Sequence, residues 1–196
     1  MSGCPVRCKF CATGKLKKIK LLSAEEIVTQ VDFILAQNPD YNPADAKEFK
    51  VNMTRMGESF LNVKEVRKAC DILIERFPSV HIFISTIGIR DSDFSWIKDN
   101  ITLQVSLHSL DEERRNNLIP YKRKLSIAEL GEIRTSSHLK TTVNMTLVDF
   151  ADFDIGRLKE HFDPEHFFIK LSPINPNEIS ERNGMGNGVI EGNNLV

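Results

Sequence analysis

Cysteine all but disappears from this chain after its first eleven residues. Three of its four cysteines stand at positions 4, 8 and 11, the fourth is Cys70, and residues 71–196 hold none. No stretch approaches the roughly 20 apolar residues of a membrane span. The N-terminus carries cysteine and basic residues in place of an apolar signal region. Charge of one sign is also missing: the net charge is -1 and the pI near 6.5, unlike the strongly basic balance of a stand-alone nucleic-acid binder. There is no internal repeat, no low-complexity tract and no linker before residue 176. What remains is a chain of 196 residues with 41% hydrophobic content, enough for one domain with a real core. Its expected location is cytoplasmic.

Apolar and amphipathic runs alternate along the chain. Residues 22–37 predict a helix, with Ser23 as N-cap, Glu26 completing a capping box, and Ile27, Val31, Ile34 and Leu35 on the apolar face. Residues 48–56 predict a strand and 63–77 a helix. In that helix Val63, Val66, Cys70, Leu73 and Phe77 share one face, so Cys70 reads as a buried structural thiol. Strands follow at 79–86, 101–108, 139–148 and 166–173, each rich in β-branched or aromatic residues. Short helices are expected at 92–99, 111–118, within 126–137 and at 154–161. Strand and helix in alternation predict a mainly parallel sheet with helical crossovers. Five strands are too few for a complete eight-fold barrel of about 250 residues, so an open, partial barrel is the expected α/β fold. Residues 1–176 form the expected core domain, and 177–196, rich in Asn and Gly, the expected irregular tail.

Two clusters are basic: Lys15, Lys17, Lys18 and Lys20, and Lys122, Arg123 and Lys124. Solvated surface charge explains both, and an anionic partner near the cysteine loop is the sharper alternative. The opening cysteines have the spacing C-x3-C-x2-C and no evident fourth partner. A disulfide would leave one thiol over. Structural zinc wants four ligands. A C-x-x-C redox pair would leave Cys4 idle. A cubic iron–sulfur cluster held by three thiolates keeps one iron open to a substrate or cofactor. Phe10, beside the last cysteine, is placed to shield such a group from water.

This triplet resembles the signature of the radical S-adenosylmethionine (SAM) superfamily. The stretches "GCPVRCKFCATG", "MGESFLN", "STIG" and "VSLHSLDEERRNNLIPYKRK" are similar, in order and spacing, to the RlmN/Cfr family of adenine-C2 RNA methyltransferases over residues 3 to 176. The resemblance implies an incomplete (β/α)6-type radical SAM barrel. It implies a 4Fe–4S cluster on Cys4, Cys8 and Cys11, and SAM bound by Gly57, Glu58, Ser85, Ser106, Leu107, His108 and Asn175. It also implies 5′-deoxyadenosyl radical chemistry, ribosomal or transfer RNA as partner, and a reductase or flavodoxin-type electron donor. Arg115 matches a family arginine and reads equally as a helix-surface charge.

Three departures stand beside that match. Ser59 and Ile87 occupy positions where the family has proline and serine. The methyl-carrying cysteine that the family uses near its C-terminus has no counterpart after Cys70, so no catalytic residue is assigned and the chain alone is not expected to transfer a methyl group. The family's first barrel strand, its N-terminal domain and its last barrel units are also without counterparts, which favours a piece of a longer enzyme. The alternatives are a divergent radical SAM enzyme with a non-RNA substrate and, from another class, a zinc-stabilised binding module using the basic loop.

Overall fold

A computed structural model describes residues 1–16, 20–147, 153–185, 190–191 and 194–195. Lys17 and Lys18 of the first basic cluster lie outside them, as does Val148 of the fourth expected strand. Five strands form one open sheet in the order of the sequence, and every pairing is parallel. They are β1 (Phe49–Met53), β2 (Val80–Thr86), β3 (Ile101–Ser106), β4 (Thr141–Leu147) and β5 (Phe167–Pro173). The helices between them are α2 (Val63–Arg76), α3 (Glu112–Leu118), α4 (Ile127–Gly131) and α5 (Ile155–His161), with α1 (Ala24–Ala36) ahead of β1. Because all strands run the same way, their C-terminal ends share one rim of the sheet.

Local chemistry explains the elements. Ser23 accepts from the Glu26 amide while Glu26 accepts from the Ser23 amide, so α1 starts on the expected capping box. Ser126 and Glu129 start α4 in the same way. Val66, Ala69, Cys70 and Leu73 bury the inner face of α2, and Cys70 lies 3.8 Å from the Met53 sulfur. Burial pushes the Cys70 thiol up to about 12, which leaves it inert at neutral pH. On β2 the alternation is strict: Val80, Ile82, Ile84 and Thr86 are buried, and His81, Phe83 and Ser85 face the other way.

Three expectations are corrected. Residues 92–99 form turns rather than a helix. Asp93 Oδ1 accepts from the Ser95 amide at 2.8 Å, a local bond that competes with helix, while Phe94 and Ile97 are buried as a plug. The helix expected within 126–137 is α4, which ends at Gly131, and beyond it Arg134 donates to the carbonyls of Gly131 and Ile133. On α1, Ala24 and Val28 are the buried residues, whereas Ile34 is 61% exposed. The tail is not wholly irregular: Asn177 caps a short helix α6 (Glu178–Arg182), and β6 (Ile190–Glu191) pairs antiparallel with β7 (Asn194–Leu195).

Candidate functional site

The cysteine loop closes over the C-terminal rim of the sheet. Its backbone is pinned from several sides: Lys9 N donates to Leu118 O at 2.9 Å, and Ser2 and Lys20 pair across the base of the loop. The tail adds two more ties. Asn177 Nδ2 donates to Phe10 O at 3.0 Å and Asn183 Nδ2 to Lys9 O at 2.8 Å. Cys4, Cys8 and Cys11 are all partly buried and unbridged. Burial, then the nearby Glu58 and Cys11, pushes the Cys4 thiol up. Cys8 is pushed up strongly by burial and by Cys11 and Cys4. Two of the three thiols therefore resist ionisation until a cation joins them.

A pocket of about 190 Å³ collects the chemistry. Cys4, Cys8, Cys11, Gly57, Glu58, Ser85, Ser106 and His108 line it, joined by Phe10, Arg55, Thr86 and Ile87. Gly57 adopts a φ of +94°, and a Cβ there would come within 2.8 Å of Met1, so the turn leading to Glu58 needs glycine. The Glu58 carboxylate is 3% exposed. One oxygen accepts from the Phe60 amide at 3.1 Å and the other from the Ile87 amide at 2.9 Å. Burial nevertheless raises its pKa. The Thr86 hydroxyl also donates to it, which leaves the carboxylate room for one further cationic donor.

Ser85 donates to Gln104 Oε1 at 3.1 Å. His108, at a φ of +64°, is buried, and its Nδ1 accepts from the Thr146 amide at 3.0 Å. Burial and then Arg115 lower the His108 pKa to about 3, so the ring is neutral. Phe10 meets that ring edge-on, with centroids 4.7 Å apart.

Two expected site residues stand elsewhere. Leu107 is fully buried in the core. Asn175 is exposed beyond β5, is absent from the pocket wall, and its carbonyl accepts from Asn177 Nδ2 at 3.0 Å. Arg115, read as a possible surface charge, is 0% exposed. It donates to Ile87 O at 2.9 Å and to Leu125 O at 2.7 Å. Sequence pattern also missed Gly88: at a φ of +78°, a Cβ would lie 2.4 Å from Leu130.

Another, larger cleft of about 1390 Å³ runs along the free edge of β1 beneath α1, lined by Ile27, Val31, Leu35, Val51 and Met53 among others. It is mainly apolar and holds none of the thiols. Among the described residues no three Cys, His, Asp or Glu side chains converge on a point suited to one metal ion.

The sequence family described as "Radical SAM superfamily" matches residues 1–150. The chain belongs to the radical SAM superfamily. Radical SAM proteins use SAM together with a 4Fe–4S cluster, and these are the cofactors that membership implies here. The chain is 31% identical over 188 residues to the probable dual-specificity RNA methyltransferase RlmN of Pseudothermotoga lettingae, covering 88% of this chain and 52% of that protein. It is 35% identical over 136 residues to the protein of the same name from Dictyoglomus turgidum, covering 66% and 38%. The crystal structure of a radical SAM methyltransferase from Sphaerobacter thermophilus matches with a TM-score of 0.68 at 26% identity, over 89% of this chain and 54% of the other. Streptococcus suis SuiB bound to S-adenosylmethionine shares the fold, with a TM-score of 0.57 at 16% identity, over 90% and 40%. The chain thus spans about half the length of the curated relatives it matches over most of its own length. No helix among the described residues is long and apolar enough to cross a membrane.

Proposed function

We propose that this chain is the radical-generating core of an RNA methyltransferase of the RlmN type, with the cluster on Cys4, Cys8 and Cys11. The observation that carries the reading is the meeting of these three thiols with the Gly57–Glu58 turn in one pocket. The donor set fits the cluster. Soft thiolates suit iron–sulfur ligation, and three of them spread over a pocket wall suit a polynuclear group better than a single ion.

Cys4, Cys8 and Cys11 would hold the cluster, whose chemistry when bound would be one-electron reductive cleavage of a SAM carbon–sulfur bond. The residues of the chain do the rest by position. Glu58, anchored by the Phe60 and Ile87 amides and the Thr86 hydroxyl, offers its remaining acceptor position to the SAM ammonium. Ser85 and Ser106 present hydroxyls on the same wall. Neutral His108 and the Phe10 ring exclude water from the thiols. Asn175, two residues beyond β5, reaches SAM only if its side chain turns toward the rim. Methylation of an adenine carbon would be completed by a methyl-carrying cysteine, which this sequence does not contain. RNA substrate, cytoplasmic location and a flavodoxin-type reductant belong to the same reading.

Anaerobically reconstituted chain, reduced with dithionite in the presence of SAM, is expected to release 5′-deoxyadenosine. Cys8→Ala should lower that release by at least about 100-fold, since loss of a ligand empties the site. Equal release from both proteins would refute the assignment. The lack of a methyl-carrying cysteine after Cys70 favours a second reading in which the radical acts on a non-RNA substrate. Deoxyadenosine release combined with no adenine methylation by the gene's full-length product would select it.

A further inference from the structure

Buried charge in this chain is lopsided. The buried cations are Arg115 and Lys124, and the one buried carboxylate among the described residues is Glu58. Glu58 is occupied by backbone amides. The Arg115 guanidinium meets two carbonyls, Ile87 O and Leu125 O, and its Nε has no hydrogen-bond partner. Lys124 Nζ donates to Asn116 Oδ1 and to Tyr121 O. Neither cation hydrogen-bonds a carboxylate among the described residues. A buried cation without an anion is unfavourable, so the arrangement calls for a negative partner.

The cysteine side adjoins Arg115, because Ile87, whose carbonyl accepts from the guanidinium, lines the same pocket as Cys8 and His108. Glu112 of α3 is the carboxylate that acts most on both cations, but it is exposed and already accepts from the Ile127 amide. Burial lowers the Arg115 pKa to about 10, which still leaves it charged at neutral pH. The loop itself is tied to this wall, because Lys9 N donates to Leu118 O at the end of the helix that carries Arg115.

A cube held by three thiolates is anionic, and reduction adds another negative charge. We propose that Arg115, backed by Lys124, is the fixed counter-charge of this site and raises the reduction potential of the cluster. The inference rests on the assignment of the cluster to Cys4, Cys8 and Cys11. Arg115 is a positioning residue. It acts through the Ile87 turn, which lines the pocket and whose amide holds Glu58.

The test compares wild type, Arg115→Gln, Arg115→Lys and Lys124→Gln, each reconstituted anaerobically and matched for iron content. The reduced-cluster EPR signal is titrated with dithionite against a potential scale, and thermal midpoints of the metal-free proteins report folding. Arg115→Gln should make the cluster about tenfold harder to reduce, which is about 60 mV lower for one electron. Arg115→Lys keeps the charge and should stay within about threefold of wild type, although it loses the two-carbonyl fork and some stability. Lys124→Gln, at a less enclosed position, should shift the equilibrium about two- to threefold in the same direction. An unchanged potential in Arg115→Gln with a full cluster overturns the proposal. So does an Arg115→Lys potential that falls as far as Arg115→Gln. Should Arg115→Gln fail to fold, an unchanged potential in Lys124→Gln overturns it instead. A wild-type chain that takes up no cluster overturns the parent assignment as well, and the wild-type arm alone reveals that case.

Discussion

The two faces of the sheet are made from the same strands and obey different rules. On β3, Leu103 and Val105 are buried in the core, while their neighbours Gln104 and Ser106 are only partly covered. The register carries this alternation across the sheet. Ile82, Ile84, Val143 and Met145 continue the apolar side. His81, Ser85, Asn144 and Lys170 share the other with Gln104 and Ser106. All-parallel sheets usually bury both faces under helices and read as unbroken apolar runs. Here the polar face shows that one side of the sheet is kept for solvent or ligand. The apolar face contributes cohesion through packing, and the polar face contributes donors and acceptors toward the rim where the thiols sit.

The comparison breaks first, and by most, at Leu103. Leu103→Ala should cost about 3–4 kcal/mol of unfolding free energy by chemical denaturation, since it removes a fully enclosed side chain. A cost below about 1 kcal/mol would mean that this face is not the core.

His108, at the end of β3, sharpens the contrast through pH. Its folded pKa of about 3 lies below the 6.5 expected in an unfolded chain. The unfolded state therefore binds more protons between those values, and stability should fall as the pH drops from about 6.5 toward 3. The slope attributable to this ring approaches about 1.4 kcal/mol per pH unit. His108→Asn, which tolerates the left-handed backbone, should lose that part of the slope in parallel denaturation curves. Identical slopes would show that the imidazole is not held neutral.

The smallest effect is expected next door to the largest. Gln104→Ala removes a half-covered side chain whose described bond is to Ser85, and should cost less than about 1 kcal/mol. A loss matching that of Leu103→Ala would erase the distinction between the faces.

Much of this fold was legible because its signals are local. The β-branched run of β2 and the Ser23–Glu26 box of α1 each declare themselves within a few residues. The thiol triplet and the Gly57–Glu58 turn stand out for the same reason, as short motifs, the second of them just beyond β1. What was hidden depends on distant partners. In the sequence EERRNNL nothing marks Arg115 as buried, because its acceptors are backbone carbonyls of Ile87 and Leu125. The docking of Asn177 on Phe10 O spans 167 residues and leaves no periodic trace. Leu107 illustrates the opposite error. It sits inside a motif that surrounds the pocket, yet strand alternation sends its side chain to the core.

Metal analysis and EPR of the anaerobically reconstituted wild-type chain, with and without SAM, probe the cysteine loop most directly. About four irons per chain, and a reduced-cluster signal that changes when SAM is added, are the predicted result. A single zinc per chain, or an iron signal indifferent to SAM, would contradict it.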